Sequence, residues 1–395
     1  MAAPIARPVA PVDAVWFERL FAGRDRLLAS PRFQRLAAAF PLTRPVARRR
    51  ARALFDLCAG FVYSQVLLAC VRLRLFETLL EGPQSVSSLA QRLALPVEAT
   101  RRLLAAAASL RLVARRGHDR FGLGELGAAL AGNPAIVAMI EHHALLYADL
   151  RDPVALLRGE VQTTELGQYW PYAAGGAGTG LAGDRVAAYS ALMSASQPLV
   201  AGEVLDAYPV SRHRCLLDVG GGEGGFLTAA AERAPALRLV LFDLPAVASR
   251  AGARFAAAGL AGRARAVGGD FRADALPSGA DLISLVRVVH DHDDTTVLAL
   301  LRAVRRALPE GGTLLVAEPM SATRGAEPMG DAYFGFYLLA MGNGRRSGRP
   351  RSPRELREML LATGFEGVRL LRTHLPLQTR VIVARAGRSQ SVVNA

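Results

Sequence analysis

The chain has 395 residues, 51% of them hydrophobic and 21% charged. That is too apolar for a disordered protein and, at roughly 150 residues per domain, long enough for two or three domains. Its three cysteines, Cys58, Cys70 and Cys215, form no CxxC pair, which excludes a disulfide scaffold and a thiolate zinc site and fits a reducing cytoplasm. The formal charge is +14, from 48 basic and 34 acidic residues; every basic residue is arginine, which reads as compositional bias, although attraction to anionic lipid or nucleic acid stays open.

Residues 1–50 read as a Pro- and Arg-rich extension in which Trp16, Phe17 and Leu20 suggest one short docked helix. Met1–Ala14 lacks the continuous apolar stretch of a secretion signal. The longest uncharged apolar run, Leu57–Val71, falls short of the roughly 20 residues of a spanning helix, so a soluble, cytoplasmic protein is expected. From Ala51 onward Leu54, Leu57, Phe61, Leu68 and Leu75 recur at helical spacing. Helices over Val86–Ala94 and Val97–Leu110, broken at Leu95-Pro96, precede a hairpin of Leu112–Ala114 with Phe121–Leu123. Helix, turn, helix, hairpin is the order of a winged helix. Helical patterns run on to about Tyr169, and the Gly-rich stretch Gly175–Gly183 reads as a linker. The expected divisions are an extension over 1–50, a mainly helical winged-helix-like domain over 51–175 and an α/β domain over 184–386.

In the last of these, Cys215–Val219, Arg238–Phe242, Ala264–Val267, Leu282–Val286 and Thr313–Val316 read as buried parallel strands separated by amphipathic helices such as Val297–Leu308. That alternation predicts a doubly wound, Rossmann-like sheet. The first strand runs into Asp218-Val219-Gly220-Gly221-Gly222-Glu223-Gly224-Gly225, ahead of a helix over Phe226–Arg233. Glycines there let a ligand approach the backbone closely. Gly220, Gly222 and Gly225 also satisfy G-x-G-x-x-G, a weak signal for a nicotinamide cofactor when taken alone. Asp218 ends the first strand, where a carboxylate can hold an ammonium; Asp243 ends the second, at the distance of an acid that pairs both ribose hydroxyls; Asp270 follows the third, suited to an adenine edge. Three acids around a loop with no arginine describe S-adenosylmethionine better than a pyrophosphate.

The fourth strand leads into Arg287-Val288-Val289-His290-Asp291-His292-Asp293-Asp294. His290 falls at the carboxyl edge of the sheet, where open α/β folds place ligands, and imidazole is suited to take a proton near neutral pH. A neighbouring carboxylate can hold its tautomer, while Asp293 or Asp294 is expected to cap the next helix. Two His and three Asp around one turn point in different directions, so no metal is expected. His118, His142, His143, His213 and His374 carry no chemical context.

With these residues in place, the chain resembles the plant-type and acetylserotonin-type O-methyltransferases over about Ala51 to Ala384. The resemblance rests on Leu217-Asp218-Val219-Gly220-Gly221-Gly222, Phe242-Asp243-Leu244-Pro245, Gly269-Asp270-Phe271 and Arg287-Val288-Val289-His290-Asp291, in that order. It implies a metal-independent class I fold that uses S-adenosylmethionine, with an N-terminal winged helix that joins two subunits in place of binding DNA. It further implies His290 as general base beside Asp291. Asp243, Leu244, Gly269, Asp270, Phe271 and Arg287 are implied as cofactor contacts, and Met193 and Ser196 fall in a helix lining the cofactor. The plant enzymes flank this histidine with two glutamates. Glu318 matches the first, whereas Pro350 stands where the second is expected, so that support is missing or replaced. The segments Tyr333–Gly342 and Gly348–Pro353 resemble the bacterial carotenoid O-methyltransferases, which implies methylation of the tertiary C1 hydroxyl of an acyclic carotenoid, a small hydrophobic hydroxylated substrate. Tyr333, Phe336, Tyr337 and Met341 would then give an apolar helix face lining its channel.

The alternatives are a phenolic or other small hydroxylated acceptor, a winged-helix transcription regulator and a nicotinamide oxidoreductase. The regulator is disfavoured because Val97–Leu110 offers mainly Arg101 and Arg102 to phosphates, and its second half reads as buried. An arginine-rich surface (Arg44, Arg48, Arg49, Arg50, Arg52) suits peripheral contact with anionic lipid, weighed against a merely solvated charge run.

Overall fold

The computed structural model describes residues 12–169, 197–344, 348–376 and 379–388. The expected linker and its flanking domain boundaries lie outside these residues. The chain forms two compact units, one up to Ala129 and one from Leu130 onward.

The first unit opens with three consecutive helices, α1 (Val12–Ala29), α2 (Pro31–Ala39) and α3 (Arg44–Arg72). Prolines at the start of α2 and α3 suit the first helical turn, where no backbone donor is needed. The single short docked helix expected here is corrected: Phe17 and Leu20 are exposed, because the apolar residues of α1 share no single face that a neighbour can cover. Helix α3 reaches beyond the uncharged run read in the sequence. Its uncharged run is short, but the whole helix spans 29 residues and is the one helix among the described residues long and apolar enough to cross a membrane. Leu54, Leu57 and Phe61 are exposed on it, whereas Leu68 and Val71 are buried.

Beyond α3 the winged-helix order appears as expected. Strands β1 (Gln84–Ser85), β2 (Val113–Arg115) and β3 (Arg120–Leu123) form an antiparallel sheet in the order β1-β3-β2. Helices Val86–Arg92 and Val97–Ser109 lie between the first two strands. Ser85 caps the former by accepting from Ser88 N at 3.1 Å, and Pro96 starts the latter. Leu75, Phe76, Val86, Leu89 and Leu104 fill the core.

The second unit is built on a seven-stranded sheet: β4 (Cys215–Val219), β5 (Arg238–Asp243), β6 (Ala264–Gly268), β7 (Leu282–Val286), β8 (Thr313–Glu318), β9 (Phe365–Leu371) and β10 (Arg380–Ala386). The order is β6-β5-β4-β7-β8-β10-β9; the first five strands are parallel, and β10 is antiparallel to both neighbours. All five residues of β4 and of β7 are buried, as expected of strands covered on both faces. Leu216, Phe226, Leu241 and Phe255 pack one face; Leu217, Ile283, Leu301 and Val316 pack the other. The strand order reverses between β4 and β7, which opens a crevice at their carboxyl ends.

Candidate active site

The glycine loop leaves β4 with left-handed backbone at Gly220 (φ 69°) and Gly222 (φ 60°), a region that costs a side-chain-bearing residue. The loop is tied to the end of β5: Gly220 N donates to Phe242 O (2.8 Å), and Gly222 N donates to Asp243 Oδ2 (2.8 Å). Asp243 Oδ1 accepts from Leu244 N at 2.7 Å. Burial lifts the Asp243 carboxyl to about 6 against these backbone donors and Arg250. Asp218 is fully buried beneath the loop, so close that a Cβ on Gly221 would stand 2.4 Å from its Oδ2. Its Oδ1 accepts from Ser284 Oγ at 2.6 Å, while Oδ2 has no hydrogen-bond partner among the described residues. Burial raises this carboxyl to about 7, opposed by Ser284 and reinforced by Asp243. The orphaned Oδ2 of Asp218 lies directly under the glycine loop. Two acids held near neutrality, one with an orphaned oxygen, fit a cationic nucleoside ligand and would strain against a pyrophosphate.

Gly269 N donates to Asp243 O (2.9 Å), which brings β6's exit loop alongside. Asp270 is engaged by its own neighbour: Arg272 donates through Nε and Nη2 and through its backbone N, at 2.9–3.1 Å. Phe271 meets His292 edge to face at 5.2 Å. Met193 and Ser196 lie outside the described residues.

Strand β7 is followed by Arg287, a non-glycine residue in left-handed backbone (φ 59°). Such a conformation costs on the order of 1–3 kcal/mol and clusters at functional sites. One short turn later His290 is buried. Its Nδ1 is hydrogen-bonded to Glu318 Oε2 at the end of β8, and its Nε2 lies 3.2 Å from Asp291 Oδ1. Glu318 is itself fixed, because Oε1 accepts from Val288 N (2.9 Å) and Val289 N (2.7 Å). Burial pulls the imidazole toward neutrality, yet Asp291 and Glu318 outweigh it and leave its pKa raised. Burial likewise raises Asp291 against the pull of His290 and His292. When the ring is neutral and donates from Nδ1 to Glu318, its lone pair is on Nε2. Asp293 is the residue that caps helix Asp294–Ala307, accepting from Thr296 N at 2.8 Å.

Pro350, where the second glutamate was expected, is followed by a residue that holds the histidine's loop. Arg351 is almost wholly buried and holds the histidine's own loop: Nη1 donates to Val289 O (2.8 Å), and Nη2 donates to His292 O (2.7 Å) and to Asp294 Oδ1 (2.7 Å). The carbonyls on either side of His290 are thus clamped by one guanidinium. Gly348 packs on the same loop so tightly that a Cβ there would stand 1.9 Å from His290 O. Pro350 therefore sits in a segment that supports His290 through its backbone, with no carboxylate offered to the ring.

Residues 328–334 are wound as a π-helix that runs into helix Gly335–Met341, a rare winding often found at functional sites. It turns Phe334, which the sequence had not singled out, toward His290, with ring centres 6.1 Å apart in edge-to-face geometry. Tyr333 packs against Phe334 at 5.0 Å. Tyr337 and Met341 are buried in a cluster with Leu146, Leu156 and Leu166, and Phe336 is half-buried. The expectation that His142 and His143 lack context is corrected. His142 Nε2 shares a 2.7 Å hydrogen bond with Tyr337 OH, and His143 Nε2 shares one of 2.7 Å with Tyr333 OH. Burial lowers both imidazoles, His142 to about 4 with His143 adding to it, so both are neutral. The hydroxyls of Tyr333 and Tyr337 are thus paired within the protein.

Residues 147–366 match the O-methyltransferase domain, and residues 55–133 match the O-methyltransferase dimerisation domain. The demethylspheroidene O-methyltransferase of Cereibacter sphaeroides is 47% identical over 87% of this chain and 89% of its own length. That of Rhodobacter capsulatus is 41% identical over 97% of this chain and 93% of its own. The crystal structure of human N-acetylserotonin methyltransferase in complex with S-adenosylmethionine superposes with a TM-score of 0.67 at 25% identity, over 86% of this chain and 98% of that one. The loop, the paired acids and the imidazole all lie within the matched domain, and the chain belongs to the O-methyltransferase family as an S-adenosylmethionine-dependent O-methyltransferase.

Proposed function

We propose that this enzyme methylates the tertiary C1 hydroxyl of an acyclic carotenoid, with His290 as general base and no metal ion in the reaction. The observation that carries the reading is His290 itself, buried with Nδ1 held by Glu318 so that Nε2 is the basic atom. When bound, S-adenosylmethionine supplies an electrophilic methyl group on a sulfonium. Asp243 and Leu244 hold the nucleoside, Gly220 and Gly222 admit it to the backbone, and Gly269, Asp270, Phe271 and Arg287 border it, with Met193 and Ser196 completing the set. Nε2 of His290 would take the acceptor's proton as the oxygen bonds to the methyl carbon and the methyl–sulfur bond breaks, leaving S-adenosylhomocysteine, and Asp291 and Glu318 would stabilise the resulting imidazolium. A tertiary alcohol has a pKa many units above that of imidazole, at about 1.4 kcal/mol per unit, so full deprotonation before attack is disfavoured and transfer is concerted.

The acceptor class is supported by the names of the two bacterial relatives and by an apolar wall in which Tyr333 and Tyr337 have their hydroxyls paired inside the protein. The match to the dimerisation domain supports a homodimer formed through the N-terminal region, and three free cysteines support a cytoplasmic location. The test is incubation of the enzyme with methyl-labelled S-adenosylmethionine and a panel of hydroxycarotenoids and phenols. Label in a carotenoid ether is expected; label in phenols alone refutes the acceptor, and full turnover by His290→Ala refutes the base.

A further inference from the structure

We propose that the helical arm over residues 12–54 is a docking surface for a bilayer carrying anionic phospholipid. The inference goes beyond the reading of the acceptor and does not depend on it. Between Val12 and Leu54 the chain carries ten arginines against three acidic residues, a net +7, so 43 of 395 residues hold half of the formal +14. Phe21, Leu27, Leu36, Phe40 and Leu42 stand exposed among those arginines, Leu42 at 81% of its full surface, and no residue of α2 is buried. An amphipathic helix rich in arginine with exposed Phe and Leu, as α2 is, lies in the headgroup boundary, apolar side chains inserted and guanidinium groups on lipid phosphate.

Three other occupants fit less well. A spanning helix would have to bury Arg48, Arg49, Arg50 and Arg52, which stud the first half of α3. A second copy fits the dimerisation domain, which begins at residue 55 and contains the exposed Leu57 and Phe61. The arm precedes that domain, and two arms of +7 repel where an anionic surface attracts. Nucleic acid would meet the charge but leaves the exposed Phe and Leu without a role. The Rhodobacter capsulatus relative aligns over 97% of this chain, so it covers the arm as well.

The test is sedimentation of the full-length protein with phosphatidylcholine vesicles, with or without one-third phosphatidylglycerol. Binding is expected only to the anionic vesicles, with release as salt rises from 0.1 to 1 M and the screening length falls from about 10 to about 3 Å. Each surface arginine contributes about 1 kcal/mol, roughly fivefold in partitioning, so Arg48→Gln/Arg49→Gln/Arg50→Gln is expected to weaken binding about a hundredfold. Leu36→Ser/Phe40→Ser/Leu42→Ser, at unchanged charge, is expected to weaken it about tenfold or more. Both variants are expected to retain methyl transfer in vesicle-free solution. Failure to sediment with anionic vesicles, or sedimentation that ignores both variants, overturns the proposal. So does a fall in oligomeric mass in the variants with vesicle binding intact, or binding of duplex DNA in place of vesicles.

Discussion

Replacing Arg351 with leucine is expected to slow methyl transfer about a hundredfold without removing any group that touches a reactant. The side chain is 1% exposed, and it donates to the backbone carbonyls of Val289 and His292. A hydrogen bond from a charged donor is worth about 1.5–3 kcal/mol, so the two together hold the loop by about 3–6 kcal/mol. The pair with Asp294 adds little, because that carboxylate is 52% exposed and screened by solvent. Without the clamp the His290 loop drifts, and a misplacement of about 1 Å costs about 10²-fold. Arg351→Lys is expected to fall between, since an ammonium lacks the planar fork that spans both carbonyls.

Steady-state kinetics across pH separates positioning from simple loss of folded enzyme. With the loop loosened, Glu318 and Asp291 no longer lift the imidazole, so the acid limb of the kcat profile moves to lower pH while KM for S-adenosylmethionine changes little. Denatured enzyme would lower the amplitude and leave the limb in place. A folded Arg351→Leu enzyme with kcat within about twofold of wild type and an unmoved limb refutes the clamp.

Catalysis requires neutral His290, and its pKa is raised by the two carboxylates. The rate is therefore expected to rise with pH through a limb above 6.5, and Glu318→Gln is expected to move that limb down while lowering maximal kcat, as a pH–rate profile will show. Gly348→Ala places a Cβ 1.9 Å from His290 O; kcat is expected to fall about tenfold or more, and an unchanged kcat would refute the contact. Asp218 has its carboxyl raised by burial to about 7 in the folded chain, so the folded state binds the extra proton and stability falls as pH rises from about 4 to about 7. Asp218→Asn removes that loss and is expected to raise Tm of the ligand-free enzyme at pH 8 but not at pH 4, by at most about 4 kcal/mol in stability; an equal effect at both pH values would refute it.

Among the parallel strands, β4, β5, β7 and β8 were legible because a strand covered on both faces must be largely apolar, and Leu282–Val286 reads so in the sequence alone. The antiparallel edge was not. Phe365–Leu371 mixes Glu366 and Arg369 into a half-exposed strand, and its partner Arg380–Ala386 has no helix between them to mark a unit. His290 was legible from the strand that delivers it. His142 and His143 were not, since their tyrosine partners lie 195 and 190 residues away and no local pattern carries that distance. Phe334 was hidden for a different reason: an ordinary helical reading of the segment turns it elsewhere, and only the π winding brings it beside the imidazole.

The same contrast explains how the site tolerates Pro350. A glutamate at that point would act on the ring through its charge, and its loss would leave the imidazole under-supported if the ring were held by side chains alone. Here the ring is held at Nδ1 by Glu318, which two backbone N–H groups fix in turn. The loop beneath it is held by Arg351 and by the close approach of Gly348. One carboxylate sets the tautomer, and the guanidinium fixes where that tautomer points. For an alcohol far less acidic than a phenol, imidazole gains little by being a stronger base and much by standing where the proton leaves. The clamp is a buried charge too, and three hydrogen bonds, to Val289 O, His292 O and Asp294, offset the desolvation of its guanidinium.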